Sequence, residues 1–199
     1  RTPGQTGRHQ RVKAGVRALG VAESFREQPS ILAGTVLTRD RTVDGFAFET
    51  CEVGGLDATD AVIALAEDLG REDVQYLFLS GIAPAWYNIL DLRAIHAATG
   101  LPVLSVSFEE SQGLEAPLRE AFEGEALDRR LERYRAQPPR EPVTVNGHQR
   151  FVRSLGLADP AAVVAGFTPE GGRPEPLRVA RLAARGVLQL WDRERESDR

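Results

Sequence analysis

An α/β fold built on one mixed sheet is the class this sequence predicts, and three observations carry it. Three strand-like runs come first, Val16 to Ala22, Ile31 to Leu37 and Val43 to Val53. The hydrophobic period then changes: Val62, Leu65, Ala66 and Leu69 recur at helical spacing, and short apolar strands alternate with helices from there on. The chain has 199 residues, 42% of them hydrophobic, enough for one substantial core.

Each element has a local reason. Val16 to Ala22 is continuously apolar, as a central strand buried on both faces would be. Ile31 to Leu37 is short and β-branched, and Val43 to Val53 alternates Phe46 and Phe48 with polar residues. Arg39-Asp40-Arg41 joins these two as a tight turn, so they should form a hairpin. Asp57 to Leu69 reads as a helix ended by Gly70, which suits a left-handed C-terminal cap. Tyr76 to Leu79 is a buried strand, Asn88 to Ala98 a second helix closed by Gly100, and Pro102 to Phe108 another strand.

Leu114 to Ala136 is a charged helical stretch with a break at Gly124, stopped by Pro138-Pro139. Asn146-Gly147 between Val143-Thr144-Val145 and Arg150 to Arg153 is the strongest short hairpin signal in the chain. A helix over Pro160 to Gly166 and a final amphipathic helix over Leu177 to Trp191 follow, separated by the Pro- and Gly-rich loop 168–174. Three meandering strands followed by helix-strand-helix-strand is the order of a ribonuclease H-like sheet, antiparallel in its first three strands and parallel thereafter. The expected organisation is a flexible leader at residues 1–12, a single domain over 13–192 and a frayed tail at 193–199.

Composition excludes several classes. The single cysteine, Cys51, allows no intramolecular disulfide and no cysteine-rich zinc site. No stretch approaches the ~20 apolar residues that span a bilayer, and the beginning of the sequence lacks an apolar signal core, so a soluble cytoplasmic protein is expected. Net charge is −4, and Lys13 is the only lysine among 25 basic residues. Net acidity leaves nucleic-acid binding open, because local patches decide it.

Candidate functional residues gather around strand ends, where open α/β sheets bind ligands. The apolar run Leu77-Phe78-Leu79 stops at Ser80-Gly81, and Trp86, Tyr87, Asn88 and Asp91 follow at the mouth of the next helix. Glu23 ends the first strand, and Asp57 and Asp60 open the first helix. Cleaving a phosphodiester requires charge neutralisation on the phosphate and an activated water, which Mg²⁺ held by carboxylates supplies. Glu23, Asp57 and Asp60 could hold such an ion, with Asp91 supplying a further acid. Each has a plainer role available: Asp57 and Asp91 are good helix caps, Asp60 sits where a carboxylate favours the helix dipole, and a strand-end Glu23 is commonly just solvated. Trp86 and Tyr87 could stack on a base turned out of a duplex, and Asn88 could bond a base edge or cap a helix. Arg173, Arg178, Arg181 and Arg185 could contact phosphates or form ion pairs with neighbouring acids.

The runs Gly20 to Phe25, Gly55 to Asp60, Leu79 to Ala83 with Tyr87 to Asp91, and Arg173 to Ala180 together resemble the archaeal endonuclease dU family, a relative of endonuclease V. The likeness spans about Lys13 to Leu190, and the lysine-poor composition is similar to halophilic members. It implies an endonuclease dependent on Mg²⁺ or Mn²⁺ that cuts DNA at deaminated bases, deoxyuridine being the family's namesake. Endonuclease V places an Asp at the end of the first strand, a Glu before the first helix and an Asp at the end of the fourth strand. By position these fall at Ala22 or its neighbour Glu23, in the segment holding Asp57 and Asp60, and at Ser80. The expectation is therefore a DNA-repair endonuclease with Glu23, Asp57, Asp60 and Asp91 as catalytic acids. Glu23, Asp57 and Asp60 would be the metal ligands, and Ser80, Gly81, Trp86, Tyr87, Asn88 and Arg178 would contact substrate. The alternative is a non-catalytic nucleic-acid- or nucleotide-binding relative that has lost the strand-end aspartates.

Overall fold

The computed structural model describes residues 15–197, and the expected leader lies outside them. Strands β1 (Arg17–Ser24), β2 (Ser30–Thr38) and β3 (Val43–Cys51) come first, then helix α1 (Ala58–Leu69), β4 (Val74–Ser80), a helical turn α2 (Pro84–Tyr87), α3 (Leu92–Thr99) and β5 (Val103–Ser107). The second half holds α4 (Glu115–Ala121), α5 (Gly124–Arg135), the hairpin β6 (Glu141–Val145) and β7 (His148–Leu155), α6 (Pro160–Gly166) and α7 (Glu175–Ser197).

The seven strands form one sheet in the order β3-β2-β1-β4-β5-β7-β6. β1, β2 and β3 pair antiparallel, β4 and β5 join β1 in parallel, and β7 returns antiparallel on β5. This is the ribonuclease H-like mixed sheet that the element order predicts, widened by the β6–β7 hairpin. Asn146 and Gly147 close that hairpin at φ 50° and 77°, the left-handed pair that a type I′ turn requires.

Alternation along the strands sorts side chains onto two layers. Leu19, Val21, Leu77 and Leu79 meet Val62 and Leu65 of α1 and Leu92 and Ile95 of α3 on one face. Ala18, Phe78, Leu104 and Val106 meet Val163, Val164, Phe167 and Leu177 on the other. Each fully buried Leu, Val, Ile or Phe contributes roughly 1.5–3 kcal/mol, so these layers dominate the stability. Gly20 lies on the second face, where a Cβ would collide with Pro176 at the start of α7. Close approach of helix and strand therefore requires glycine there.

Several expectations are corrected. The helix expected from Asn88 begins only at Leu92, because Asp91 accepts the N–H groups of Arg93 and Ala94 at 3.0 Å each and acts as its N-cap. The tail expected to fray from residue 193 is helical to Ser197, docked by Arg26 on Asp192 and by Arg195 on the Gln28 carbonyl. Phe46 and Phe48 stack at 6.3 Å on the edge strand and stay nearly half exposed. Among the described residues, no helix is long and apolar enough to cross a membrane.

Candidate active site

β4 ends at Ser80, and Gly81 turns the chain at φ 79°. Its N–H donates to Val106 O of β5 at 3.0 Å, so the turn lies across the end of the neighbouring strand, in a conformation that glycine adopts without strain. The next turn is less relaxed. Ala85, Trp86 and Tyr87 all have positive φ, 47°, 54° and 62°. Left-handed residues of this kind cost roughly 1–3 kcal/mol each and persist only where surrounding contacts dictate them. Those contacts are present: Gly54 N–H donates to Ala85 O at 2.7 Å and Arg130 Nε to Tyr87 O at 3.2 Å.

That turn aims a backbone amide at a carboxylate. Glu23 lines a narrow crevice of about 10 Å³ with Ala22, Ser80 and Pro84. Burial raises its pKa, opposed by hydrogen bonds from the Ser30 hydroxyl (3.3 Å) and the Ala85 amide and by the field of Arg181. Asp57 is held from the other side: its two oxygens accept Glu52 N–H at 3.1 Å each, and Oδ1 accepts Asn88 Nδ2 at 2.7 Å. Burial, with the charges of Asp57 and Glu23, pushes the thiol of Cys51 up to about 12.

Two further acids were expected at the site. Asp60 is exposed in the first turn of α1, and one oxygen of the Asp91 carboxylate, Oδ1, is engaged as the cap of α3. Among the described residues no three His, Cys, Asp or Glu side chains form a metal-holding group. The expected set of Glu23, Asp57 and Asp60 is therefore not assembled as a three-ligand site. Glu23 and Asp57 are hard oxygen donors with lone pairs to spare, and Mg²⁺ is commonly held by one or two carboxylates together with substrate phosphates. The donor set fits that arrangement.

Asn88 is corrected from base reader to positioning residue. It is 0% exposed, its Oδ1 accepts Ala58 N–H at 3.0 Å, and its Nδ2 donates to Glu52 O at 2.8 Å besides Asp57. Trp86 and Tyr87 part company. Trp86 is 50% exposed and meets Phe122 with the ring planes tilted by 49° and the centroids 5.2 Å apart, whereas Tyr87 packs against the cluster of Ile89, Leu118 and Leu131 under α4 and α5. Arg178 pairs with Glu175 at 2.6 Å on the outside of α7.

Beside the crevice a cavity of about 400 Å³ opens at the carboxyl ends of β4 and β5. Ser80 belongs to both, and Gly81 lines the cavity with it. Arg140, Arg153, Arg173 and Arg181 face into it, together with Phe108 and Tyr134. Arg140 and Arg153 escape sequence reasoning because they arrive on the segment around the β6–β7 hairpin, whose place beside β5 is a tertiary fact. Arg130 and Arg133 escape it too. Inside an apparently solvated helix, Arg130 is buried and donates to the carbonyls of Gly54 and Gly55, and Arg133 to those of Leu56 and Ile89. Their spacing of three, which sets them on one helix face, was the available signal.

Comparison with known proteins agrees with this architecture. A protein from Pyrobaculum calidifontis named UPF0215 is 38% identical over 184 residues, covering 88% of this chain and 98% of its own. Its namesake from Thermococcus kodakarensis is 30% identical over 189 residues, covering 89% and 95%. A crystal structure of a protein of unknown function from Archaeoglobus fulgidus superposes with a TM-score of 0.77 at 24% identity, over 87% of this chain and 98% of that one. Endonuclease V from Ciona intestinalis, solved with a 24mer DNA containing an inosine followed by a ribo-adenosine, shares the fold with a TM-score of 0.58 at 12% identity, over 87% and 86%. The family described as Endonuclease dU matches residues 14–188, nearly the whole described fold, and the chain is a member of that family.

Proposed function

We propose that the protein is an endonuclease that hydrolyses a phosphodiester of DNA at or near a deaminated base, deoxyuridine first among them. One observation carries this reading: a carboxylate, Glu23, adjoins an arginine-lined cavity at the carboxyl ends of the central parallel strands, with Ser80 common to both. The inosine-containing DNA in the Ciona structure supports a nucleic-acid substrate for this fold.

Mg²⁺ or Mn²⁺, when bound by Glu23 and Asp57, would supply charge neutralisation on the phosphate and an acidified water. The chain's own residues supply the rest. Asn88 and the Glu52 amide hold the Asp57 carboxylate in one orientation. The left-handed turn at 85–87 presents the Ala85 amide to Glu23. The Ser30 hydroxyl, donating to the half-buried Glu23 at 3.3 Å, fixes that carboxylate further. The exposed Trp86 offers a stacking surface to a base next to the cut.

Labelled duplexes carrying uracil, hypoxanthine or only normal bases, incubated with Mg²⁺, Mn²⁺ or EDTA, test this. Expected is cleavage of the uracil duplex with either metal and none in EDTA. Equal cutting of all three would remove the lesion specificity. A specific observation favours the second reading, a non-catalytic nucleic-acid binder: Ser80 stands where endonuclease V has an acid, and among the described residues no three-ligand group forms. Binding that survives EDTA without any cleavage would select it.

A further inference from the structure

We propose that the arginine-lined cavity seats the phosphate of a nucleotide, with the base against its aromatic wall, so that it takes a charged nucleotide and not a neutral base. This deepens the substrate-site reading above and rests on it.

The charge on the cavity is unbalanced. Arg140, Arg153, Arg173 and Arg181 line it against a single acid, Glu109. Among the described residues none of the four is in ion-pair contact with a carboxylate, whereas Arg17, Arg71, Arg135 and Arg178 all are. Acids are not scarce, since Asp and Glu number 29 against 25 basic residues. The arginines at the amino end of β1 and β4 are paired, and those at the carboxyl end are left facing an open space.

One of them is also unsatisfied. Arg173 Nη1 is buried and, among the described residues, has no hydrogen-bond partner. A buried cationic donor without an acceptor is a costly arrangement that a bound anion would relieve. Arg173 is further crowded by the like charges of Arg181, Arg150 and Arg185, although burial is the largest influence on it.

The guanidinium groups are held ready. Arg173 lies over the Phe108 ring at 3.7 Å, Arg140 over Phe151 at 3.9 Å and Arg153 over Tyr134 at 5.7 Å. Stacking restrains each guanidinium plane. Arg140 is held further by bonds to Ser107 Oγ, Glu109 O and Ser111 O and Arg153 by one to Pro138 O, so among the described residues Arg173 and Arg181 keep the freest N–H edges for a ligand, in the fork geometry that matches phosphate oxygens. A tetrahedral phosphate offers oxygens in several directions to several forks, where a planar carboxylate serves one or two. Ile82, Val106 and Leu114 add an apolar wall beside Phe108 and Tyr134. A volume of about 400 Å³ falls in the range of small-molecule sites.

The test is calorimetric titration of the full chain in EDTA with dUMP, deoxyuridine or inorganic phosphate at constant ionic strength. Expected is dUMP binding at least tenfold tighter than deoxyuridine, with phosphate competing. R173Q should weaken dUMP at least tenfold while leaving deoxyuridine unchanged. R181Q, at an exposed position on α7, should weaken it severalfold and serves if R173Q fails to fold. Equal affinity for dUMP and deoxyuridine, no binding of dUMP, or unchanged affinity in R181Q would each overturn the proposal. Displacement of dUMP by a short oligothymidylate would trace the nucleotide to a strand, and failure to displace it would mark a free nucleotide; both retain the phosphate site. Because EDTA prevents metal-dependent turnover, dUMP binding without any cleavage in Mg²⁺ would sink the nuclease reading alone, and cleavage without dUMP binding would sink this one alone.

Discussion

Replacing Asn88 by alanine separates a base-reading role from a structural one. Its amide joins three segments: the first turn of α1 through Ala58 N–H, the loop before it through Glu52 O, and the Asp57 carboxylate. Truncation orphans Ala58 N–H on a fully buried residue, a loss of roughly 1–3 kcal/mol. Glu52 and Asp57 are exposed and regain water, so their bonds add only about 0.5–1 kcal/mol together. The sum is about 1.5–4 kcal/mol, and in a domain of this size each kcal/mol lowers Tm by roughly 2–4 °C. Asn88→Ala should therefore melt about 3–16 °C lower by circular dichroism, with a matching fall in urea midpoint. Cleavage should fall equally on every substrate, because Asp57 is no longer oriented. An unchanged Tm with loss of discrimination between uracil and normal duplexes would refute the reasoning and return Asn88 to the lesion.

Three further outcomes follow from the same geometry. Arg130→Met should cost roughly 2–4 kcal/mol in chemical denaturation, since the carbonyls of Gly54, Gly55 and Tyr87 lose a common donor, whereas Arg178→Ala, breaking an exposed pair, should stay within about 0.5–1 kcal/mol of wild type. Trp86→Ala should leave Tm nearly unchanged and weaken DNA about tenfold to a hundredfold by electrophoretic mobility shift; Tyr87→Ala should instead lower Tm by several degrees, because its ring belongs to the cluster under α4 and α5. Bonds from Arg71 and Arg17 hold Asp44 well below the usual carboxylate range, and a bond from Arg71 lowers Asp73 as well. Depressed folded-state values mean that this stabilisation is complete above the unfolded value near pH 4 and disappears as pH falls further. Asp44→Asn should accordingly flatten the acid limb of a stability-against-pH curve measured in urea, and an unaltered limb would exclude the cluster as its source.

Much of the chain was legible because local chemistry decides it. Gly70 and Gly100 end α1 and α3 in the left-handed conformation that only a side-chain-free residue takes cheaply, so helix ends could be read from the sequence. Asn146-Gly147 placed a hairpin, and the change from strand to helical periodicity after Val53 placed the antiparallel-to-parallel order of the sheet. Such signals need only neighbours a few residues away. The environment of single side chains did not follow the same rule. Trp86 and Tyr87 are adjacent and chemically alike, yet a left-handed turn held by Gly54 and Arg130 sends one to solvent and the other beneath α4 and α5. Asn88 was expected to contact substrate and Asp91 to serve as a catalytic acid, but hydrogen bonds to α1 and α3 engage them. Arg140 and Arg153 reach the cavity only because β7 pairs with β5 about fifty residues upstream of it. Whether a polar group is free to act depends on which partners the folded chain brings within about 3 Å, and those partners come from distant segments whose meeting is decided by packing of the whole sheet.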